Sequence, residues 1–88
     1  MRTMEKGRVV LSIAGRDAGR LFLILSVEGD FALIADGKVR RLETPKRKRL
    51  KHLKAVGSVL EITALKTDRQ IRRMLASYAA DLSKLPPI

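Results

Sequence analysis

The first two-thirds of the chain alternates short apolar segments with turn-forming residues, and this spacing most constrains what it can fold into. The segments are rich in β-branched and aliphatic residues and follow one another at the intervals typical of small all-β barrels. Five of them are predicted to be strands: Arg8–Ile13, Arg20–Val27, Phe31–Ala35, Lys38–Leu42 and Val56–Thr63. Since 88 residues suffice for one small core, the sequence predicts a mainly β fold, a barrel of about five strands.

The prediction of the fourth strand depends on a short hairpin signal. Asp36-Gly37 is a dipeptide that favours the tight turns of β-hairpins. The segment Lys38–Leu42 would then return along the third strand, with Val39 facing the core and Arg40 pointing outward. Pro45 is expected to end regular pairing there, because proline has no backbone N–H to donate.

The last quarter of the chain carries a helical pattern instead. Thr67 and Gln70 have the spacing of a capping box, with Thr67 as N-cap. One apolar stripe follows at helical spacing: Ile71, Met74, Leu75, Tyr78, Leu82 and Leu85. Pro86-Pro87 is expected to end the helix. The stripe would pack on the barrel as a lid, or bind a partner or a second copy; off the stripe lie Arg69, Arg72 and Arg73.

Positive charge is concentrated in one segment of the chain. The whole chain carries a net charge of +10, and the segment 38–54 contains nine basic residues against the single acid Glu43. Charges so concentrated repel one another, and a polyanion relieves that repulsion while releasing counterions. A solvated basic loop is the alternative. A membrane surface is a poorer partner, because this proline-interrupted tract does not form an amphipathic helix.

Several classes of protein are disfavoured by residues that are missing. The chain has no cysteine and only one histidine, His52, so no thiolate nucleophile, disulfide or multi-ligand metal site is expected. No apolar run approaches the roughly 18 residues that span a bilayer, and the N-terminus lacks a signal-peptide core. We therefore expect a cytoplasmic protein that is not an enzyme, with no cofactor, no metal, no small-molecule substrate and no membrane.

A glycine turn separates the first two strands. Gly15 and Gly19 allow positive φ angles in a tight loop, from which Arg16 and Arg20 would project. Asp17, between them, is expected to stabilise the turn rather than to act as a catalyst.

Three motifs occur in a characteristic order over residues 7–53. They are the strand–AGRDAGR–strand unit, the ADG hairpin and the basic tract PKRKRLKHL. Together they resemble the KOW-domain RNA-binding proteins of bacteria, which are similar to KOW-type large-subunit ribosomal proteins. The resemblance implies an SH3-like barrel of about five strands, contact with RNA through the first turn and the basic loop, and no catalysis. Together with the helical pattern of the last quarter, we therefore expect a KOW/SH3-like barrel at 1–65, including the basic loop 38–54, and a C-terminal helical extension at 66–88.

The expected function is therefore non-catalytic binding of structured, ribosomal RNA by a monomer. The contacts would be made to phosphates by the glycine turn and the basic loop. The candidate residues are Arg16, Arg20, Lys38, Arg40, Arg41, Lys46, Arg47, Lys48, Arg49, Lys51, His52 and Lys54. Phe22, Phe31 and Tyr78 are expected in the core rather than as stacking platforms. The alternative is an interaction module for an acidic protein of the transcription or translation machinery; double-stranded DNA is disfavoured because no helix carries base-reading side chains.

Overall fold

The fold is a curled sheet of five antiparallel strands, followed by one helix. The computed structural model describes residues 4–59 and 66–83. The strands are β1 (Arg8–Ser12), β2 (Leu21–Glu28), β3 (Phe31–Ala35), β4 (Lys46–Arg49) and β5 (Leu53–Val59), and the helix is α1 (Asp68–Ser83). The spatial order is β4-β3-β2-β1-β5. The prediction of a mainly β, SH3-like barrel with a C-terminal helix is confirmed.

The two faces of the sheet bury two different apolar clusters. The inner face forms the barrel core from Val10, Phe22, Ile24, Ala32, Ile34 and Leu53. The opposite face is covered by α1, where Val9 and Leu23 of the sheet pack with Ile71 and Leu75. Both faces of β1 and β2 are therefore covered, which accounts for the continuous run of apolar residues in β2.

The helix begins with the predicted capping box. The Gln70 backbone N–H donates to Oγ1 of Thr67 (3.2 Å), and the Thr67 N–H donates to Oε1 of Gln70 (3.1 Å). The lid interpretation is confirmed, because Ile71 and Leu75 are buried against the sheet. Met74 and Tyr78 pack at the edge of the same cluster. The side chain of Leu82, and Leu85 with Pro86-Pro87, lie outside the described residues.

The fourth strand is not where the sequence predicted it. Residues 38–42 form a loop, Val39 is 56% exposed, and β4 lies at Lys46–Arg49 instead. The reason is local hydrogen bonding: one Asp36 carboxylate oxygen accepts the N–H groups of Lys38 (2.9 Å) and Arg40 (2.8 Å). Those N–H groups are turned into the loop and are no longer available to a strand ladder.

Consequently, the part of the predicted basic loop 38–54 that follows Pro45 is ordered structure rather than loop. Its residues form β4, a 3₁₀ turn over Leu50–His52 and the beginning of β5. Pro45 directly precedes β4, a position where its missing N–H removes no ladder hydrogen bond. The last strand also begins three residues earlier than predicted, at Leu53. The predicted strand residues 60–63 lie outside the described part of the chain.

No helix among the described residues has the length and apolar character needed to cross a membrane.

Candidate nucleic-acid interface

The twelve residues predicted to contact RNA differ widely in exposure. Nine are exposed to solvent: Arg16, Arg20, Lys38, Arg40, Arg41, Arg47, Arg49, Lys51 and Lys54. Lys46 and His52 are half-buried, and Lys48 is buried, with 7% of its side chain exposed. The predicted set is therefore not one uniform surface.

The glycine turn holds two of the exposed arginines in defined positions. Gly15 and Gly19 have φ angles of +84° and +89°, as expected for a tight loop that other residues would strain. The turn is closed by the N–H of Gly19 donating to the Ser12 carbonyl (2.8 Å) and the N–H of Ser12 donating to the Arg20 carbonyl (2.9 Å). Arg16 and Arg20 thus project from a fixed loop.

Asp17 connects this turn to strand β4. Its carboxylate accepts hydrogen bonds from the Ser12 hydroxyl (2.7 Å), the Lys46 ammonium (2.8 Å) and the Lys48 ammonium (2.5 Å). Lys48 also donates to the Ala14 carbonyl (2.7 Å). The prediction that Asp17 stabilises its turn is confirmed. Asp17 also binds two lysines that lie about 30 residues later in the sequence, on strand β4.

The charge state of Asp17 follows from these contacts. Burial by itself raises the pKa of the carboxyl group, but hydrogen bonds from Lys46, Lys48 and Ser12, together with the charge of Lys46, outweigh it. The net result holds the pKa of Asp17 well below its usual range. Asp17 is therefore ionised at neutral pH and neutralises part of the positive charge of β4.

Four of the predicted cations converge on one pocket of about 250 Å³ beside this ion pair. We call it the arginine pocket, and its cations are Arg16, Arg20, Arg40 and Lys46. Asp17, Phe22 and Val39 complete its lining. Within the described residues none of the three arginines takes part in an ion pair. Each guanidinium group can donate two parallel hydrogen bonds, so three of them around one concave site favour an anion with several oxygen acceptors, such as a phosphate.

The alternation of strand β4 divides the remaining tract between two faces of the sheet. The register pairs Ala32 with Lys48 and Ile34 with Lys46, so both lysines lie on the inner face. Phe31 and Leu33 pair with Arg49 and Arg47 on the opposite face. The expectation that Lys48 contacts phosphate does not fit its position, because its ammonium group is buried in the ion pair with Asp17.

The prediction that Phe31 lies in the core is wrong. It is partly exposed and belongs to neither apolar cluster, whereas Phe22 is 1% exposed in the barrel core as predicted. The guanidinium of Arg47 lies over the Phe31 ring, 3.9 Å from its centroid, and that of Arg49 lies at 5.4 Å. Side chains alternate between the two faces of a strand. Identifying KRKR as a strand would therefore have predicted that Arg47 and Arg49 lie on the face opposite Lys46 and Lys48.

The other predicted residues lie outside the arginine pocket. Lys38 lines a separate groove with Arg20 and Arg72 beside α1. Lys51 and Arg49 line a hollow with Asp30 and Leu50. His52 is held in the 3₁₀ turn, where its carbonyl accepts the N–H of Ile13 (2.9 Å). Lys54 pairs with Leu11 across β1 and β5, and Arg41 lies in the loop before β4.

The described residues contain no cluster of three or more histidine, cysteine, aspartate or glutamate side chains that could hold a metal ion. The arginine pocket itself offers fixed cations and hydrogen-bond donors.

Comparison with known proteins shows similarity to a ribosomal protein. No protein-family model matches the chain. The chain is 30% identical over 78 residues to the large ribosomal subunit protein eL14 of Staphylothermus marinus. The aligned region covers 88% of this chain and 81% of that relative, so the similarity includes both the sheet and the helix.

Proposed function

This chain belongs to the eL14 family of large ribosomal subunit proteins, and from this premise we propose that it is a non-catalytic RNA-binding protein of the ribosome. Its partner would be structured ribosomal RNA, bound in the cytoplasm by a monomer without a cofactor, metal or small-molecule substrate. Its sheet would be a KOW-type barrel, which accounts for the order of the glycine turn, the ADG loop and the basic tract.

The observation that carries this proposal is the arginine pocket. Arg16, Arg20 and Arg40 come from two loops 20 residues apart, yet they line one concave site. Clustering like charges has an electrostatic cost, which a bound phosphate would remove while releasing its counterions. Folded RNA brings phosphates close together, so one pocket with several guanidinium forks can contact more than one phosphate.

Asp17 and its two lysines would have a supporting role in this function. Lys48 would act through position, by joining β4 to the glycine turn that presents Arg16 and Arg20. Lys46 is 29% exposed and lines the pocket while paired with Asp17. Of the twelve predicted residues, we therefore retain the nine exposed ones and the half-buried Lys46 and His52 as RNA contacts and regard Lys48 as a structural residue.

RNA binding at this pocket can be tested by removing two of its charges. In the variant R16Q/R40Q we expect affinity for in vitro transcribed large-subunit ribosomal RNA to fall roughly 30-fold in 0.1 M salt. The slope of log K against log salt should decrease by about 1.4 to 1.8, because each lost phosphate contact removes about 0.7 to 0.9. Filter binding across a salt series measures both quantities.

The matched control is R69Q/R73Q, which removes the same charge from two exposed positions on α1 outside the pocket. The control should lose much less affinity than R16Q/R40Q. An equal loss in both variants would show that net charge, not the pocket, drives binding. A wild-type protein that binds polyglutamate more tightly than ribosomal RNA would support the alternative of an acidic protein partner.

A further inference from the structure

The face of the sheet opposite the arginine pocket carries a second arrangement of cations. The guanidinium groups of Arg47 and Arg49, both on β4, lie 3.9 Å and 5.4 Å from the ring centroid of Phe31 on β3. Both arginines are exposed, while the ring is partly buried beneath them. We call these three side chains the arginine–aromatic platform.

Core packing does not account for the platform. Phe31 belongs to neither apolar cluster, and within the part of the chain that the structure describes neither arginine forms an ion pair. The guanidinium of Arg47 has one face on the aromatic ring, and its exposure leaves the other face to solvent. A guanidinium plane is weakly hydrated and stacks readily on flat π systems, so this open face is suited to a planar ligand.

A hollow beside the platform is suited to the rest of a nucleotide. It has a volume of about 300 Å³ and is lined by Asp30, Arg49, Leu50 and Lys51. Its position is fixed by the N–H of Leu50 donating to the Asp30 carbonyl (2.8 Å). Because Arg49 belongs to both the platform and the hollow, a base on Arg47 would have its phosphate near Arg49 and Lys51.

We propose that the Arg47–Phe31 stack binds one unpaired nucleobase of the RNA. The proposal rests on the proposed function and adds to it a second, stacking site on the other face of β4. Bases that are not paired in a helix commonly stack on aromatic rings or on arginine planes. In this arrangement Phe31 acts as the support that holds the Arg47 plane open, and Arg49 with Lys51 neutralises the adjoining backbone.

The test compares two oligomers that differ only in whether they carry bases. One is a fluorescein-labelled 12-mer of riboadenylate, and the other is a 12-mer of the same charge built from abasic ribose phosphates. Wild-type protein should bind the adenylate about tenfold more tightly in fluorescence anisotropy, which is the lower part of the range for one stacked base. R47K keeps the charge but removes the plane, so it should bind both oligomers equally.

The matched control is R73K, which makes the same change at an exposed position of α1 outside both sites and should keep the preference for bases. F31L should reduce the preference as R47K does; because R47K changes an exposed side chain, it decides the matter if F31L fails to fold. A preference that survives in R47K would overturn the proposal. If wild type binds both oligomers equally but still binds ribosomal RNA with steep salt dependence, the stacking proposal is wrong and the proposed function stands. Binding to none of the three RNAs would refute both.

Discussion

Asp17 is the residue on which the geometry of the basic tract depends. The side chain of Asp17 is 11% exposed, and its carboxylate is bound by the ammonium groups of both Lys46 and Lys48. Pairing allows a lysine to be buried in a small protein, since an unpaired charge there would be strongly disfavoured. One acid thus accounts for the burial of a cation that the sequence had assigned to the interface.

Replacing Asp17 by Asn should destabilise the protein by about 3 kcal/mol at pH 7, because it leaves the buried Lys48 without a counter-ion. The folded-state pKa of Asp17 is depressed, so the stability it contributes is present above its unfolded pKa and is lost as pH falls. The difference in unfolding free energy between wild type and D17N should therefore be constant above about pH 5. It should shrink below about pH 4.

Urea unfolding at pH 7, 4 and 2.5 measures this difference. Asp30 is exposed, and its substitution D30N is the control; it should change stability by less than about 0.5 kcal/mol at neutral pH. A D17N variant as stable as wild type at pH 7 would contradict the structural role of the Asp17 ion pair.

The loop between β3 and β4 is an element held in place by the helix. The Leu42 N–H donates to the Asp68 carboxylate (2.8 Å), and the Arg72 guanidinium donates to the Gly37 carbonyl (3.3 Å). Gly37 has φ +77° and lies so close to the helix that a Cβ atom there would collide with the Asp68 carbonyl. The loop that carries Arg40 is therefore positioned by α1, although the two are about 30 residues apart.

This close approach predicts a large difference between two glycine substitutions. Gly29 also has a positive φ, +57°, but an added Cβ would meet no atom within 4 Å. G29A should therefore cost about 1 kcal/mol, from backbone strain alone. G37A should cost about 3 kcal/mol, because the collision with α1 adds to the same strain.

Chemical denaturation of both variants provides the comparison. Because the loop carries Arg40, G37A should also weaken RNA binding by protein that remains folded, whereas G29A should not. Equal destabilisation by the two substitutions would mean that the loop does not approach the helix as described.

At the scale of the whole molecule, sheet and helix share an apolar core. Ile71 is fully buried and Leu75 is 6% exposed, both against Val9 and Leu23 on the face opposite the barrel core. Without the helix that face of β1 and β2 would be exposed to water. We therefore predict that the barrel at 1–65 and the extension at 66–88 unfold as one cooperative unit.

The substitution I71A tests this prediction. It should destabilise the protein by about 3 kcal/mol, the usual cost of truncating a buried aliphatic side chain. The fluorescence of Tyr78, the single tyrosine of the chain and part of α1, should change at the same urea concentration as the circular dichroism of the sheet. R73A, on the exposed side of α1, is the control. A helix that melts first while the sheet persists would show two independent units.

The sequence by itself determined the local structure of this protein. β1, β2, β3 and the capped helix lie within a few residues of their predicted bounds, because apolar alternation, turn glycines and the Thr67–Gln70 capping box act over a few neighbouring residues. The same local information located Arg16 and Arg20 on the glycine turn, and it indicated that Phe22 is buried.

Only the tertiary structure decided how the basic tract is used. The N–H groups of the loop donate to the Asp36 and Asp68 carboxylates, so Lys38–Leu42 does not pair as a strand. The fourth strand is Lys46–Arg49 instead. The ion pair with Asp17 allows Lys48 to be buried, and strand alternation places Arg47 and Arg49 on the other face of the sheet. Charge counting along the chain could not show this, because ion pairs and strand register depend on residues that are distant in sequence and meet only after folding.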